Sequence, residues 1–333
     1  MTMLFWKNLL GEKLIKNKDL LKLSNLIKEN KFVDFKDSEL KVGVDLGTAN
    51  IVLVVTDMSG NPIAGLIRHA KVVRDGIVVD YLEAIKIVKD LKEELEKLLN
   101  VELIYAACAI PPGIDPRSVK AISNVVESAG FIVTNIIDEP TAAAKTLRIK
   151  NGAIVDLGGG TTGISLMRDG NVIGTWDEPT GGHHMNLTIA GYYNIGIDEA
   201  EELKIKSNSR EILTIVKPVL EKMAIIVKNV LVNKDVQALY LVGGASNFDG
   251  IEDLFEKITG IKTYRSEEAL LVTPLGISKS CIGGKHGKQH DWWSHKTSNW
   301  RIKKRRKYKQ FIWKLSNKLW SFWQYGWSNR SSR

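Results

Sequence analysis

Two similar aspartate-led turns constrain the fold of this chain more than any other feature of its sequence. The first, at residues 44–50, reads VDLGTAN, and the second, at residues 154–163, reads IVDLGGGTTG. An apolar strand runs into each turn and another leaves it. Because glycine has no Cβ, successive backbone N–H groups in such turns can approach an anion closely. One Asp-Leu-Gly turn alone is common in strand hairpins, but the repeat predicts a clamp that holds phosphate from two sides.

The predicted phosphate contacts are the glycines of both turns and the small residues beside them. They are Gly47, Thr48, Ala49 and Asn50 in the first turn, and Gly158, Gly159, Gly160, Thr161 and Thr162 in the second. The leading aspartates, Asp45 and Asp156, would repel phosphate, so we expect Mg²⁺, held through water, between them and the phosphates. The implied ligand is therefore a nucleotide that carries Mg²⁺. The alternative is that each aspartate only caps its turn.

A third segment, at residues 238–246, completes the pattern. It reads ALYLVGGAS, which is typical of a buried strand that ends in two glycines before a helix. Glycines at a strand-to-helix junction let a flat ring or a ribose lie against the backbone. Gly243, Gly244 and Ala245 are therefore predicted to contact adenosine.

With these three motifs in this order, the chain resembles the actin-like ATPase superfamily over about residues 40–280. The resemblance implies an α/β fold with two duplicated ribonuclease-H-like lobes and a central nucleotide cleft that binds ATP or ADP with Mg²⁺. The segment at residues 136–144, IIDEPTAAA, is similar to the ATPase domain of DnaK-type chaperones. The segments at residues 74–80, RDGIVVD, and 200–204, AEELK, are similar to MreB, FtsA and PilM.

The resemblance implies roles for several side chains, with Asp45, Glu139, Asp156 and Thr161 as the predicted catalytic residues. Glu139 matches a residue that orients the attacking water, although capping of the helix that begins near Pro140 is an alternative. Thr161 matches a donor to the γ-phosphate. Gly163 departs from the chaperone pattern, in which an acid follows two residues after that threonine. This departure argues against strong cation binding and fast hydrolysis.

Other polar residues have two interpretations each. Glu201 and Lys204 match a bacterial-actin motif that reaches the ribose, but a solvent-facing helix would also produce them. His183 and His184 suggest a metal, yet no third ligand has a suitable spacing, so a structural loop at a helix start is favoured. Lys71 is the nearest counterpart of the chaperones' catalytic lysine, and an ordinary solvated lysine is the favoured interpretation there.

The sequence divides into four predicted segments. Residues 1–36 have apolar positions at helical spacing and are predicted to form a helical arm that packs on the domain, with an interaction arm as the alternative. Residues 37–150 and 151–282 are predicted to form lobes I and II of the actin-like ATPase. Helices are predicted at 184–204 and 210–231 and a strand at 238–242. Residues 283–333 form a basic, tryptophan-rich tail that is either disordered, unselected, or suited to an anionic membrane surface or nucleic acid.

Charge and cysteine content limit the function of the core. The chain has a net charge of +9, but 14 Lys and Arg and one acid fall within residues 283–333, which leaves the core mildly acidic. No nucleic acid is therefore expected as a partner of the core. Cys108 and Cys281 are predicted to be reduced, as in the cytoplasm. No stretch is long and apolar enough for a membrane span, and no cleavable signal is predicted.

The resemblance extends to a short DnaK-like ATPase of bacterial ethanolamine utilisation. It implies a cytoplasmic chaperone-like or assembly factor, associated with a bacterial microcompartment, whose clients are ethanolamine-utilisation enzymes or shell proteins. The residues after Cys281 are too few for the peptide-binding domain of DnaK-type chaperones. We therefore expect a nucleotide-gated factor with weak ATPase activity. A nucleotide-clamped scaffold without turnover and an actin-like filament former are the alternatives.

Overall fold

A computed structural model describes residues 13–36, 39–74, 76–206 and 210–283. The predicted tail beyond Gly283, the first twelve residues of the predicted arm and Asp75 of the RDGIVVD segment lie outside the described residues.

The described residues form two larger sheets, a small hairpin and helices that cover and connect them. The strands are β1 (Leu14–Ile15), β2 (Lys41–Leu46), β3 (Asn50–Thr56), β4 (Pro62–His69), β5 (Val73–Arg74), β6 (Ile77–Val78), β7 (Tyr105–Ile110), β8 (Ile132–Asp138), β9 (Gly152–Leu157), β10 (Thr162–Arg168), β11 (Asn171–Glu178), β12 (Ala238–Val242) and β13 (Lys262–Ser266). The helices are α1 (Lys18–Glu29), α2 (Tyr81–Leu99), α3 (Pro116–Ser128), α4 (Glu139–Leu147), α5 (Gly182–Tyr193), α6 (Ile197–Lys206), α7 (Arg210–Leu231), α8 (Ile251–Thr259) and α9 (Ala269–Ser280).

The two larger sheets repeat one strand order. The first has the order β4-β3-β2-β7-β8, and the second has the order β11-β10-β9-β12-β13-β1. In both sheets an antiparallel meander of three strands is extended by parallel strands. The duplicated α/β architecture predicted from the sequence is confirmed. It places the first turn after β2 and the second turn after β9, at equivalent positions in the two sheets.

Helix α2 illustrates how the pattern of apolar residues specifies these elements. Asp80 caps its start by accepting a hydrogen bond from the Glu83 backbone N–H, at 3.1 Å. Asn100 ends it in the left-handed conformation, which asparagine tolerates. One helical stripe is buried on the first sheet: Ala84, Val88, Leu91, Leu95 and Leu99. Truncating a buried leucine such as Leu91 to alanine would cost about 2–5 kcal/mol.

Helices α4 and α9 pack against each other and link the two sheets. A side chain at Gly276 of α9 would overlap the carbonyl group of Ala142 in α4, and one at Gly43 of β2 would overlap the backbone of Ser278. A mixed core contains Val54 from the first sheet and Ile154 from the second. Strand β13 and helix α9 were not predicted from the sequence. They attach the last described part of the chain to both sheets.

The described part of the predicted N-terminal arm packs on the domain. Asn17 caps α1 by accepting hydrogen bonds from two backbone N–H groups, and Leu20 and Leu23 are fully buried. Strand β1, which was not predicted, adds to the edge of β13 in parallel. Farther along the chain, the helical segment predicted at 184–204 is divided. Asn194 takes the left-handed conformation and ends α5, so α6 begins as a separate helix.

Candidate nucleotide site

The predicted site residues meet in one cleft of about 1170 Å³. This volume is slightly above the usual range for small-molecule and cofactor sites, which ends at about 1,000 Å³. The cleft is lined by both aspartate-led turns, the third glycine segment, Glu139 and the Glu201–Lys204 pair. Thr162 is the exception among the predicted phosphate contacts. It is fully buried, and its hydroxyl group donates to the Thr180 carbonyl oxygen at 2.6 Å, so that hydroxyl is not available to the cleft.

The two turns face each other across the cleft. A Cβ placed on Gly159 of the second turn would lie 3.3 Å from the Ala49 Cβ and 3.4 Å from the Thr48 Cβ of the first. Leu46 and Leu157, which precede the turns, are buried in their sheets. The two turns therefore form one site, to which the chain contributes backbone N–H groups from both turns.

The second turn is supported by the start of α5. The backbone N–H groups of Gly182 and His183 donate to the carbonyl oxygens of Gly158 and Gly159, at 2.9 and 2.7 Å. A Cβ at Gly181 would lie 2.7 Å from the Gly159 oxygen, so this approach requires glycine. The His184 Nδ1 atom accepts from the Gly181 backbone N–H at 3.2 Å. His184 thus takes part in closing the helix start, in agreement with the structural interpretation favoured from the sequence.

The third glycine segment lies directly behind the second aspartate. Gly243 has a φ of +84°, and a Cβ there would overlap the Oδ1 atom of Asp156. Both observations require glycine at this position. A Cβ at Gly182 would lie 3.4 Å from the Ala245 Cβ and 3.3 Å from the Lys204 Nζ. The predicted phosphate, adenosine and ribose contacts are therefore adjacent in space.

Three carboxylates concentrate negative charge in the cleft. Burial raises the pKa of Asp156 to about 6, although the Thr273 hydroxyl group, which donates at 3.1 Å, opposes this shift. Desolvation and then the charge of Asp156 raise the pKa of Asp45 to about 7. Desolvation, followed by Asp156 and Asp45, raises the pKa of Glu139 well above its usual range. A divalent cation between these groups would reverse the shifts, so this donor set fits the predicted Mg²⁺.

Glu139 does not cap the helix that it begins. The N-cap is Asp138, whose Oδ1 atom accepts from the backbone N–H and the hydroxyl group of Thr141, at 3.0 and 2.7 Å. The alternative that Glu139 caps this helix is therefore wrong, because the helix starts one residue earlier than predicted and Asp138 caps it. The Glu139 side chain lines the cleft instead.

Gly163 lies beside a carboxylate that the sequence analysis missed. In the sheet, Gly163 is paired with Asp177 of β11 on one side and with Asp156 of β9 on the other. A Cβ at Gly163 would lie 3.7 Å from the Asp177 Oδ1 atom. Asp177 also raises the pKa of both Asp156 and Glu139. A carboxylate from the neighbouring strand thus lies beside position 163, which only the strand register could have indicated.

Glu201 and Lys204 form a largely buried ion pair at 2.8 Å, with side chains 16% and 11% exposed. Lys204 also donates to the Gly182 carbonyl oxygen at 3.4 Å, and Asn186 of α5 donates to Glu201. The solvent-facing interpretation of this motif is therefore wrong. Asn186 is a further residue that the sequence analysis missed, because no motif connects it to α6.

The Salmonella typhimurium protein described as ethanolamine utilization protein EutJ is 44% identical to this chain over 246 residues. The match covers 73% of this chain and 86% of that protein. The chain belongs to the EutJ family. A crystal structure of EutJ from Carboxydothermus hydrogenoformans is 47% identical, has a TM-score of 0.75, and is matched over 79% of this chain and 97% of its own length.

The EutJ family lies within the actin-like ATPases. The MreB/Mbl protein family matches residues 57–210, and the cell division protein FtsA family matches residues 153–279. The crystal structure of MreB5 of Spiroplasma citri bound to ADP has a TM-score of 0.59 at 21% identity, over 71% of this chain and 94% of that one. At that identity the likeness concerns the fold alone.

In this EutJ-family chain, an ion pair crosses the mouth of the cleft. Lys71, which follows β4, binds Asp198 in the first turn of α6, and both side chains are exposed, at 57% and 82%. Lys71 is thus solvated, as favoured from the sequence. Among the described residues, no helix is long and apolar enough to cross a membrane.

Proposed function

We propose that this chain binds Mg²⁺-ATP and Mg²⁺-ADP in the cleft, hydrolyses ATP slowly, and acts as a chaperone-like or assembly factor in bacterial ethanolamine utilisation. The observation that carries the proposal is the juxtaposition of the two aspartate-led turns. Gly159 lies against Thr48 and Ala49, with Asp45 and Asp156 behind the turns. Backbone donors from two sheets and paired carboxylates are the combination that a metal-nucleotide requires.

The proposed mechanism assigns one task to each group of residues. The glycine turns, with the hydroxyl groups of Thr48 and Thr161, would bind and orient the phosphates. Asp45 and Asp156 would hold Mg²⁺ through water, and this cation would neutralise charge on the phosphates. Glu139 would accept a hydrogen bond from the attacking water and orient it. Phosphoryl transfer depends mainly on positioning and charge neutralisation, so a strong base is not needed.

The structure suggests how the nucleotide could influence a protein partner. Glu139 begins α4, which packs closely on α9 through Gly276, and Thr273 of α9 donates to Asp156. Movement of either carboxylate would therefore act on a helix pair that contacts both sheets. We propose that this pair transmits the nucleotide state to a surface that clients recognise.

The proposed setting rests on the relatives. The name of the Salmonella typhimurium relative places that protein in ethanolamine utilisation, and the match covers most of its length. We propose the same setting for this chain, in the cytoplasm and in association with a microcompartment. Ethanolamine-utilisation enzymes or shell proteins would be the clients. Purified candidate clients should bind with different affinities in the presence of Mg²⁺-ATP and Mg²⁺-ADP.

The nucleotide part of the proposal is tested with the full-length protein. Calorimetry should detect binding of Mg²⁺-ADP, and steady-state release of phosphate from Mg²⁺-ATP should be slow but measurable. Glu139→Ala should abolish release while it retains ADP binding. Glu199→Ala, at an exposed position of α6 outside the cleft lining, is the matched control. Binding without turnover would favour the nucleotide-clamped scaffold, and absence of binding would overturn the proposal. Sedimentation with Mg²⁺-ATP would reveal a filament former.

A further inference from the structure

Five exposed cations surround the C-terminal end of α4, and we call this surface the basic face: Lys18, Lys145, Arg148, Lys150 and Arg168. Two hydrogen bonds bring the segments that carry them together. The Asn17 amide, at the start of α1, donates to the Thr146 carbonyl oxygen of α4 at 3.2 Å. The Gly170 backbone N–H, in the turn between β10 and β11, donates to the Lys150 carbonyl oxygen at 2.9 Å. The end of α4, the link to β9, the end of β10 and the start of α1 are thus adjacent.

The charges of the basic face are not balanced by neighbouring acids. Within the described part of the chain, none of its five cations forms an ion pair. The acids nearest to them in the sequence are Asp19, which Lys279 bonds at 2.8 Å, and the single exposed Asp169. On α2, by contrast, Lys89 has Glu93 one turn away as its partner. Positive charge is therefore concentrated at the end of α4, although the core as a whole is mildly acidic.

The backbone conformation of Arg148 shows that this cation is placed at a cost. It ends α4 with a φ of +56°, in the left-handed region, which disfavours residues other than glycine and asparagine. The other described helices with a left-handed C-cap end in one of those two residues: Asn30, Asn100, Asn194 and Gly260. Asparagine would fit the same turn with less strain, so arginine at position 148 indicates a requirement for its charge.

Helix stabilisation accounts for only part of the basic face. A cation near the C-terminus of a helix stabilises it by about 0.3–1 kcal/mol, and this applies to Lys145 and Arg148. Lys18 lies in the first turn of α1, where the helix dipole disfavours a cation. Lys150 and Arg168 are outside the helices. An acidic partner would account for all five cations together, because complementary charge steers association and fixes its orientation.

The surroundings of the basic face favour a protein as this partner. A nucleic acid or an anionic membrane extends far beyond a single face and would meet the acidic remainder of the core, which repels it. An acidic segment of a protein can be confined to the face. In addition, Ile173, near the start of β11, is 49% exposed and offers an apolar contact beside the charges. Protein side chains can cover such a group, whereas phosphates cannot.

Helix α4 joins the basic face to the nucleotide cleft. Its first residue, Glu139, lines the cleft, and Arg148 follows its last residue. The helix has nine residues, so its ends are about 13 Å apart. We propose that the basic face binds an acidic segment of a client protein and that α4 makes this binding depend on the bound nucleotide. The inference rests on the proposed function and names the chemistry of the surface that clients recognise.

The test measures binding of a fluorescein-labelled peptide of alternating Glu and Ala by anisotropy on the full-length protein. The triple variant Arg148→Asn/Lys150→Gln/Arg168→Gln should bind it about tenfold more weakly, because three exposed charge contacts are lost. Asparagine fits the left-handed cap, so this variant should fold, as thermal unfolding will show. Arg148→Lys, which keeps the charge, should retain the peptide affinity.

The matched control removes the same charge from exposed positions on α2 and α7, with Lys97→Gln/Lys222→Gln/Lys228→Gln. It should bind the peptide as the wild type does. In the wild type, the peptide affinity should differ at least threefold, roughly, between Mg²⁺-ADP and Mg²⁺-ATP, and the peptide should change the relative nucleotide affinities by the same factor. Without peptide, the basic-face variant should bind Mg²⁺-ADP normally, because the face lies outside the cleft lining.

Equal peptide affinities of the wild type and the basic-face variant would overturn the inference while the proposed nucleotide binding stands. An equal loss in the control variant, or a peptide affinity that ignores the nucleotide, would also overturn it. If the basic-face variant lost binding to phosphatidylserine vesicles or single-stranded DNA but kept the peptide, the face would belong to a membrane or nucleic-acid partner instead. Absence of Mg²⁺-ADP binding in the wild type would overturn the proposed function and the inference together.

Discussion

The first and second aspartate-led turns have nearly the same sequence but different support. The second is bonded by the start of α5, adjoins Gly243, and has its aspartate bonded by Thr273 of α9. The first is joined to the end of β4 by the strand pairing of Asn50 with His69 and by a hydrogen bond from the Ala70 backbone N–H to the Ala49 carbonyl oxygen, at 3.1 Å. Its Asp45 carboxylate accepts no hydrogen bond from the described residues. Duplication repeated the motif without repeating its surroundings.

This difference suggests unequal tasks for the two turns. Backbone held by several hydrogen bonds keeps its donors in place before a ligand arrives, and such preorganisation strengthens binding. The second turn meets that condition. The first turn has fewer such contacts. We therefore expect the second turn to determine nucleotide affinity and the first to contribute mainly when the cation and phosphates are in place.

The largest expected effect tests whether Asp45 and Asp156 act on one cation. Asp45→Asn and Asp156→Asn should each lower single-turnover phosphate release by on the order of 100-fold, because charge stabilisation at the phosphates is lost. If both act through the same Mg²⁺, the double variant should be no slower than the slower single variant. Losses that multiply would contradict a shared cation. Glu199→Gln should match the wild type.

The pH dependence of stability tests the burial of Asp156. Its raised pKa means that the folded state holds a proton that the unfolded state has released between about pH 4 and pH 6. The contribution of Asp156 to the free energy of unfolding therefore falls as pH rises through that window, by at most about 3 kcal/mol. Urea titrations with EDTA should show this fall in the wild type relative to Asp156→Asn. The same comparison for Asp45, whose pKa is raised to about 7, should show a fall that continues to about pH 7.

The packing of α5 on the second turn is tested by Gly181→Ala. Its methyl group would meet the backbone of the second turn, so we expect a loss of about 2 kcal/mol in the free energy of unfolding and at least tenfold weaker Mg²⁺-ADP binding. Gly191→Ala, on the same helix with open space around it, should be neutral or slightly stabilising. Equal ADP affinities of the two variants would show that the second turn does not depend on α5.

The smallest expected effect concerns the ion pair between Lys71 and Asp198 at the mouth of the cleft. Because both side chains are exposed, Lys71→Ala should change the free energy of unfolding by less than about 0.5 kcal/mol. The rate of ADP release should change by less than about twofold. A larger effect that the Lys71→Asp/Asp198→Lys exchange restores would assign the pair a role in closing the cleft.

The spacing of residues along the chain was sufficient to predict those elements that depend only on neighbouring residues. The two turns, the Gly243 segment and the amphipathic α2 follow from residue spacing and from glycine's lack of a Cβ. The sequence did not predict β1, β13 or α9, because their stability comes from pairing and packing with distant parts of the chain. It also misplaced the N-cap of α4, since Asp138 and Glu139 are both plausible caps when only the neighbouring residues are considered.

The sequence by itself determined the α/β class, the duplicated turns and the carboxylates that imply a metal-nucleotide. Only the tertiary structure brought Asp177 beside Gly163, Thr273 onto Asp156 and Asn186 onto Glu201. Each of these contacts joins residues from different strands or helices, so no local spacing encodes it. Local sequence fixes which backbone can approach an anion, whereas the protonation and orientation of a buried carboxylate depend on whichever distant groups the fold places around it.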